Sequence, residues 1–394
     1  MKGSPLSRTF SLLLVSRSYP PVLGGSEIEA QHVCAALLRR GHSVTVLCAG
    51  GPPMPSVSHW TDPAGVPVRI FGGKWPSVFR DQAFALGVAW TLLRYRRRYQ
   101  LVYFLMQGLH LAAGLPMAHF LDKPIIMKVS GSSIITAMLG SWMGRLELRW
   151  LRDWSRRVMI LNSGMADEAI SAGFKRQQLL WMPNPVDTEE FRPCGPDCRL
   201  VLRAELGIPA QAAAVIFVGR LAPEKELPSL IGGFASVARK MARAFLIVVG
   251  DGPSRKTLEL QVYNLGLNCV RFTGRQSPTE VRQWLQASDV FALVSSNEGF
   301  PCSLAEAMST GLPSVVSDIP ASTQLIDSGV HGLHAKMGDE ASIGSALEQV
   351  LGDEAGRTRM GFAARQRVLA NYSMDKVLDR YEVLFAEALG GQTL

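Results

Sequence analysis

Glu298 and Glu306 stand eight residues apart, with Gly299, Phe300, Pro301, Cys302 and Ser303 between them. A carboxylate accepts hydrogen bonds from hydroxyl groups, and the free amides at a helix start, with the positive end of its dipole, favour a phosphate. The first acid falls in a loop opened by Gly299 and Pro301, and the second falls one turn into a predicted helix. That pairing suits a polyol attached to a phosphate, as in a nucleotide sugar. Ser303 and Glu306 also match a capping box, in which the glutamate only satisfies a free amide. The residues leave both readings of Glu306 open.

A second constellation supplies positive charge. The apolar run 215–218 reads as a strand, and it runs into Gly219, Arg220 and, five residues further on, Lys225. An arginine fork and a lysine point charge at a strand end can hold a diphosphate from two sides. Gly24 and Gly25 occupy the comparable place near the start of the chain. There they form a simple turn or let a ligand approach the backbone. The absence of Gly-x-Gly-x-x-Gly at that place disfavours a dinucleotide cofactor. Gly250 to Pro253 reads as turn chemistry, and Arg275, at another strand end, meets a nucleobase or lies on the surface. No Asp-x-Asp pair occurs in the chain, which fits a diphosphate neutralised by Arg220 and Lys225 without a metal.

These residues need elements to hold them at strand ends. Apolar runs at 10–15, 44–47, 101–106, 125–129, 158–161 and 179–182 read as parallel strands covered on both faces, with a helix over 27–40. The pattern restarts after the proline-rich segment 184–197, the expected hinge. Strands are predicted at 215–218, 245–249, 270–272, 290–293 and 314–316, and helices over 227–240, 255–265, 342–351, 354–370 and 374–389. The expectation is an α/β protein of two Rossmann-like, doubly wound domains, 1–187 and 198–373, with a ligand cleft between the carboxyl ends of the two sheets.

Composition bounds the rest. A chain of 394 residues, 47% hydrophobic and 19% charged, is globular and long enough for two cores. Its net charge of +8 is unevenly placed. Residues 1–190 hold 21 Lys and Arg against 12 Asp and Glu, or +9, whereas the remainder holds 20 against 21, or −1. Arginines cluster at 94, 96, 97 and 98, and again at 145, 149, 152, 156 and 157, the latter mixed with Trp150 and Trp154. A basic stretch with Trp and Leu lies in an anionic membrane interface or is a solvated helix face. No nucleic-acid motif is visible. Residues 101–121 carry no charge, yet Gln107, His110, Pro116 and His119 make them a buried strand and helix, not a membrane span. Six scattered cysteines without a zinc pattern, and no signal-peptide pattern in the short run 7–15, point to reduced thiols in the cytoplasm.

Together the Glu298/Glu306 run and the Arg220/Lys225 loop, in this order, resemble the retaining glycosyltransferases of family 4, the group 1 family with the GT-B fold. Asn184 to Asp187, Gly250 to Pro253 and Ala287 to Phe291 add to the likeness. The resemblance implies a nucleotide-sugar donor, probed at the diphosphate by Arg220 and Lys225 with Gly219 beside them. It implies that Glu298 and the backbone from Gly299 to Cys302, with Phe300, Pro301 and Ser303, hold the sugar, and that Glu306 accepts from the ribose. Gly24 and Gly25 would approach the phosphates and the acceptor, and the last helix, 374–394, would return to the first domain. Catalysis would be front-face displacement, with the acceptor proton passing to the leaving diphosphate and no cofactor required.

Five positions depart from the family pattern. Ser130 stands where a histidine is common, leaving His110 as the nearest other acceptor-side candidate. Glu226 and Pro185 replace glycines, Pro301 replaces the glycine of Glu-Gly-Phe-Gly, and Gln324 replaces an acid. A sugar-nucleotide epimerase of the same fold, or a binding protein without turnover, are the alternative functions. A glycan or lipid-linked acceptor at the inner face of a membrane is the expected partner.

Overall fold

The computed structural model describes residues 9–390 except Leu23, Ser56, Lys74, Trp75 and Met106. Two compact units divide the chain. One ends at Pro185 and takes the chain in again from Asp375, and the other is Val186–Met374.

The first unit is built on β1 (Ser11–Ser16), β2 (Ser43–Ala49), β3 (His59–Thr61), β4 (Pro67–Phe71), β5 (Leu101–Leu105), β6 (Ile125–Lys128), β7 (Ser155–Ile160) and β8 (Leu179–Trp181). Their order is β3-β4-β2-β1-β5-β6-β7-β8, parallel except for β3. Every residue of β5 is buried, as a central strand covered on both faces requires. The helix Leu109–Phe120 follows it, so the uncharged stretch is a strand and a helix. The expected strand end, Met106, lies outside the described residues. Among the described residues no helix is long and apolar enough to cross a membrane.

The β3/β4 hairpin is absent from the sequence reading because its strands are short and partly exposed. Asp62 makes its turn by accepting from the backbone of Ala64 at 2.9 Å and Val66 at 2.8 Å, an Asx turn.

The segment read as a hinge belongs to the second unit from Val186 onward. The Val186 amide donates to the Tyr372 carbonyl at 2.8 Å, and the Ser309 hydroxyl to the Phe191 carbonyl at 2.5 Å. The strands of this unit are β9 (Ala213–Val218), β10 (Ala244–Val249), β11 (Val270–Gly274), β12 (Val290–Leu293), β13 (Ser314–Ser317) and β14 (Gly332–Ala335). They run parallel in the order β11-β10-β9-β12-β13-β14. Sequence pattern alone missed β14, since Gly332 and His334 interrupt its apolar run.

The last helix, Met374–Ala388, packs in the first unit; residues 391–394, expected to extend it, lie outside the described residues. The Lys128 ammonium is almost wholly buried, 3.0 Å from the Glu29 carboxylate and 3.1 Å from the Tyr381 hydroxyl. Tyr381 also donates to Glu29 at 2.9 Å. Arg40 and His42 each meet Glu382 at 2.9 Å. Buried charges of this kind persist only when they are paired and hydrogen-bonded.

Candidate active site

An open parallel sheet binds ligands where the strand order reverses, outside the carboxyl ends of its strands. In the second unit that point lies between β9 and β12, which are neighbours although two strands separate them in sequence. Arg220 and Lys225 follow β9, and Glu298 follows β12. The fold brings the lysine and the acid together across 73 residues: Lys225 Nζ lies 2.5 Å from Glu298 Oε1, and Ser295 Oγ donates to the same oxygen at 2.7 Å. Their side chains are 18% and 10% exposed, so the pair is sheltered yet reachable. Arg220 is paired with Glu224 and two-thirds exposed, leaving its fork free to move toward an anion.

Local chemistry shapes this loop. Pro223 starts a short 3-10 turn that ends at Lys225, and Glu226 then adopts φ 51°, ψ 33°. That left-handed conformation favours glycine by about 1 kcal/mol, so Glu226 holds this turn at some local strain. The Ser296 amide and hydroxyl both donate to the Glu224 carbonyl, at 2.9 and 3.2 Å, tying the two loops to each other. Sequence reasoning missed Ser295 and Ser296; their position directly after an apolar strand was the available signal.

The Gly250 to Pro253 turn supports the loop from behind. A Cβ on Gly250, whose φ is +131°, would lie 1.9 Å from the Gly219 carbonyl oxygen, and one on Gly252 would lie 2.4 Å from that of Leu221. Asp251 and Leu221 are joined by a 3.0 Å backbone bond. Gly250→Ala is therefore expected to lower unfolding free energy by about 2 kcal/mol, measured by urea denaturation, and to weaken any ligand held by Arg220. Wild-type stability in that variant would contradict the close approach.

Glu306 lies in the second turn of the helix Cys302–Ser309, whose N-cap is Pro301 with no side-chain cap bond. Ser303 is inside the helix, so the capping-box reading of Glu306 is corrected; among the described residues a serine–glutamate box is formed by Ser277 with Glu280. Glu306 is half-buried. Burial pushes its carboxyl up to about 8, with Glu190 adding to the rise, so at neutral pH it holds a proton and both donates and accepts. Glu190, unremarked in the sequence, is the acid it faces. Phe300 is buried against the Tyr372 ring at 5.9 Å. Gly299, Pro301 and Cys302 carry the chain from the loop into the helix. Gln324 is tied through its carbonyl to Arg367 at 2.9 Å. Arg275 is exposed after β11, the edge strand two positions from β9, and is not brought to the Lys225–Glu298 pair.

The first unit has its own reversal between β1 and β5. Gly24 caps the helix Gly25–Arg39, and a Cβ there would lie 2.2 Å from the Glu27 carboxylate. Glu27 accepts from the Ser18 hydroxyl at 2.8 Å. This helix start thus already faces an acid of the chain, which the glycine pair alone did not disclose. His110 follows β5 but is buried, its ring 5.5 Å from that of Phe84. Ser130 follows β6 and is half-buried.

The family model described as Glycosyl transferases group 1 matches residues 199–367, and that described as Glycosyltransferase Family 4 matches residues 23–190. The N-acetyl-alpha-D-glucosaminyl L-malate synthase of Bacillus anthracis is 29% identical over 48% of this chain and 49% of its own length. The glycogen synthase of Mycobacterium tuberculosis is 25% identical over 97% of this chain and 95% of its own. The chain spans about half the length of several curated relatives it matches, the Bacillus protein among them. Anabaena HepE, solved in complex with UDP and glucose, superposes with a TM-score of 0.79 at 20% identity, covering 96% of this chain and 100% of that one. The chain belongs to the group 1 glycosyl transferases and has the two Rossmann-like domains of the GT-B fold.

Proposed function

We propose that this protein transfers a sugar from a nucleotide-diphosphate sugar, with UDP as the carrier, to a glycan or lipid-linked acceptor in envelope or polysaccharide synthesis, with retention at the anomeric carbon. The observation that carries the reading is the Lys225–Glu298 pair at the β9/β12 reversal. Arg220 and Lys225 would take the diphosphate, Glu298 the sugar hydroxyls, and Glu306 the ribose. The acceptor hydroxyl attacks the anomeric carbon on the face the diphosphate leaves. The C–O bond to the diphosphate breaks, the new glycosidic bond forms, and the acceptor's proton passes to the departing phosphate oxygen. The chain's residues act by positioning and by stabilising negative charge on the leaving group, and turnover undiminished by EDTA is the expected result. UDP is favoured because HepE binds it. A cytoplasmic site at the inner face of an anionic membrane would suit a lipid-linked acceptor and the basic first half.

Thermal-shift screening against UDP-, GDP- and ADP-sugars tests the donor, since a ligand that binds only the folded state raises its stability by mass action. Stabilisation by UDP-sugars above the other two is expected, followed by an α-configured product from an α-configured donor by NMR. Epimerised donor in the absence of any acceptor would overturn the transferase reading in favour of an epimerase.

A further inference from the structure

We propose that the outer side of the helix Arg80–Arg94, with the arginine run that follows it, is a docking surface for the anionic face of a lipid bilayer. The biological sense of this inference rests on the lipid-linked acceptor proposed above; its geometry does not.

One side of this helix buries Phe84, Ala85, Gly87, Val88, Thr91 and Leu92. The other side should be polar in a helix that faces only water. Instead Leu86 is 72% exposed and Trp90 51%, with Phe79 just before the helix and Leu93 near its end also exposed. The positions 79, 86, 90 and 93 follow helical spacing, so they form one stripe. The helix has 15 residues and is about 22 Å long, a span over which a soluble surface rarely leaves apolar side chains uncovered.

Charge complementarity selects the occupant. The stripe runs out at its carboxyl end into Arg94, Arg96, Arg97 and Arg98, all exposed. Among the described residues none of these four has a carboxylate partner. Arg69, Arg94 and Arg98 gather around the Tyr95 ring, at 4.0, 5.5 and 5.3 Å from its centre. The helix's one acid, Asp81, is neutralised by Arg17 at 2.9 Å. Apolar and indole side chains next to unpaired guanidinium groups match the boundary between acyl chains and anionic headgroups.

A neighbouring part of the same unit repeats the combination. The helix Arg80–Arg94 packs on the helix Leu109–Phe120, which packs on the helix Trp142–Trp154. On the last of these Trp142 is exposed, with Leu139 before it and Arg145 and Arg149 after it. Trp150 and Trp154, whose stretch the sequence leaves open between a membrane interface and a solvated helix face, stack on each other at 5.4 Å, with His119 beyond at 4.4 Å from Trp154.

Cosedimentation of the full chain with vesicles tests the proposal. Phosphatidylglycerol-containing vesicles should retain the protein and pure phosphatidylcholine vesicles should not, with retention lost at about 0.5 M salt, where charges are screened within a few ångströms. Leu86→Glu with Trp90→Glu, and separately Arg96→Glu with Arg97→Glu, should each weaken vesicle binding at least roughly tenfold. Both should keep the wild-type nucleotide-sugar thermal shift, which shows that they fold. Wild-type vesicle binding by both variants would overturn the assignment. So would a concentration-dependent dimer that the Leu86/Trp90 variant abolishes, because a second copy would then cover the stripe. If the transferase reading fails, the nucleotide-sugar shift vanishes while vesicle binding remains, so the two failures are told apart.

Discussion

Lys225→Ala is expected to lower kcat for sugar transfer by about 10²- to 10³-fold, the usual loss when one preorganised donor to a developing anion is removed. Its ammonium lies 2.5 Å from Glu298 and is mostly sheltered from water, so under the proposed mechanism it would meet a leaving diphosphate with little reorganisation. Arg220 is more exposed and shares its charge with Glu224. Arg220→Ala should therefore cost less, about tenfold, or about 1.4 kcal/mol of barrier. Steady-state kinetics with a saturating donor, together with the unfolding temperature of each variant, provide the check. Transfer at the wild-type rate by Lys225→Ala would remove that residue from the reaction. A loss of rate matched by a collapse in unfolding temperature would show that the pair merely holds the two loops.

Glu306→Gln is expected to make the protein more stable than the wild type above pH 8, by on the order of 3 kcal/mol after allowance for the solvent that reaches a half-buried group. The folded-state value of about 8 lies above the ordinary glutamate range because burial and Glu190 disfavour the anion. The unfolded chain releases this proton near pH 4 to 5, while the folded chain keeps it. The stabilising contribution is thus complete below the ordinary glutamate range and is lost as pH rises to about 8. Glutamine imitates the protonated acid and should remove that slope. Urea titrations at pH 5, 7 and 9 measure it, and parallel curves for the two proteins would show that Glu306 is ionised in the folded state throughout.

The sequence made the central strands legible because they are buried on both faces and therefore read as unbroken apolar runs, as 290–293 shows for β12. It failed where burial is partial: the β3/β4 hairpin is exposed on alternate residues, and β14 contains a glycine pressed within 2.0 Å of the Ser314 carbonyl, measured from where a Cβ would sit. The residues that meet at β9 and β12 were found singly, because their types suit a diphosphate and a sugar. Their pairing across 73 residues depends on strand order, which no local pattern states. Glu190 near Glu306, 116 residues apart, was invisible because the contact is tertiary, whereas Glu27, three residues after Gly24 in the same first turn, was legible and passed over.

The second unit is an insertion within the first. Lys128 and Glu29 are emerged and buried early in the chain, whereas Tyr381, which bonds to both, is supplied by its last helix. On a ribosome adding 5–20 residues per second, roughly ten seconds or more separate Pro185 from that helix. During this interval the amino-terminal unit lacks the Tyr381 partner of its buried Lys128 and Glu29, while Val186–Met374 has every strand it needs to close its own sheet. The inserted unit is therefore expected to reach its native state first, and its host must wait for the helix Met374–Ala388 to emerge.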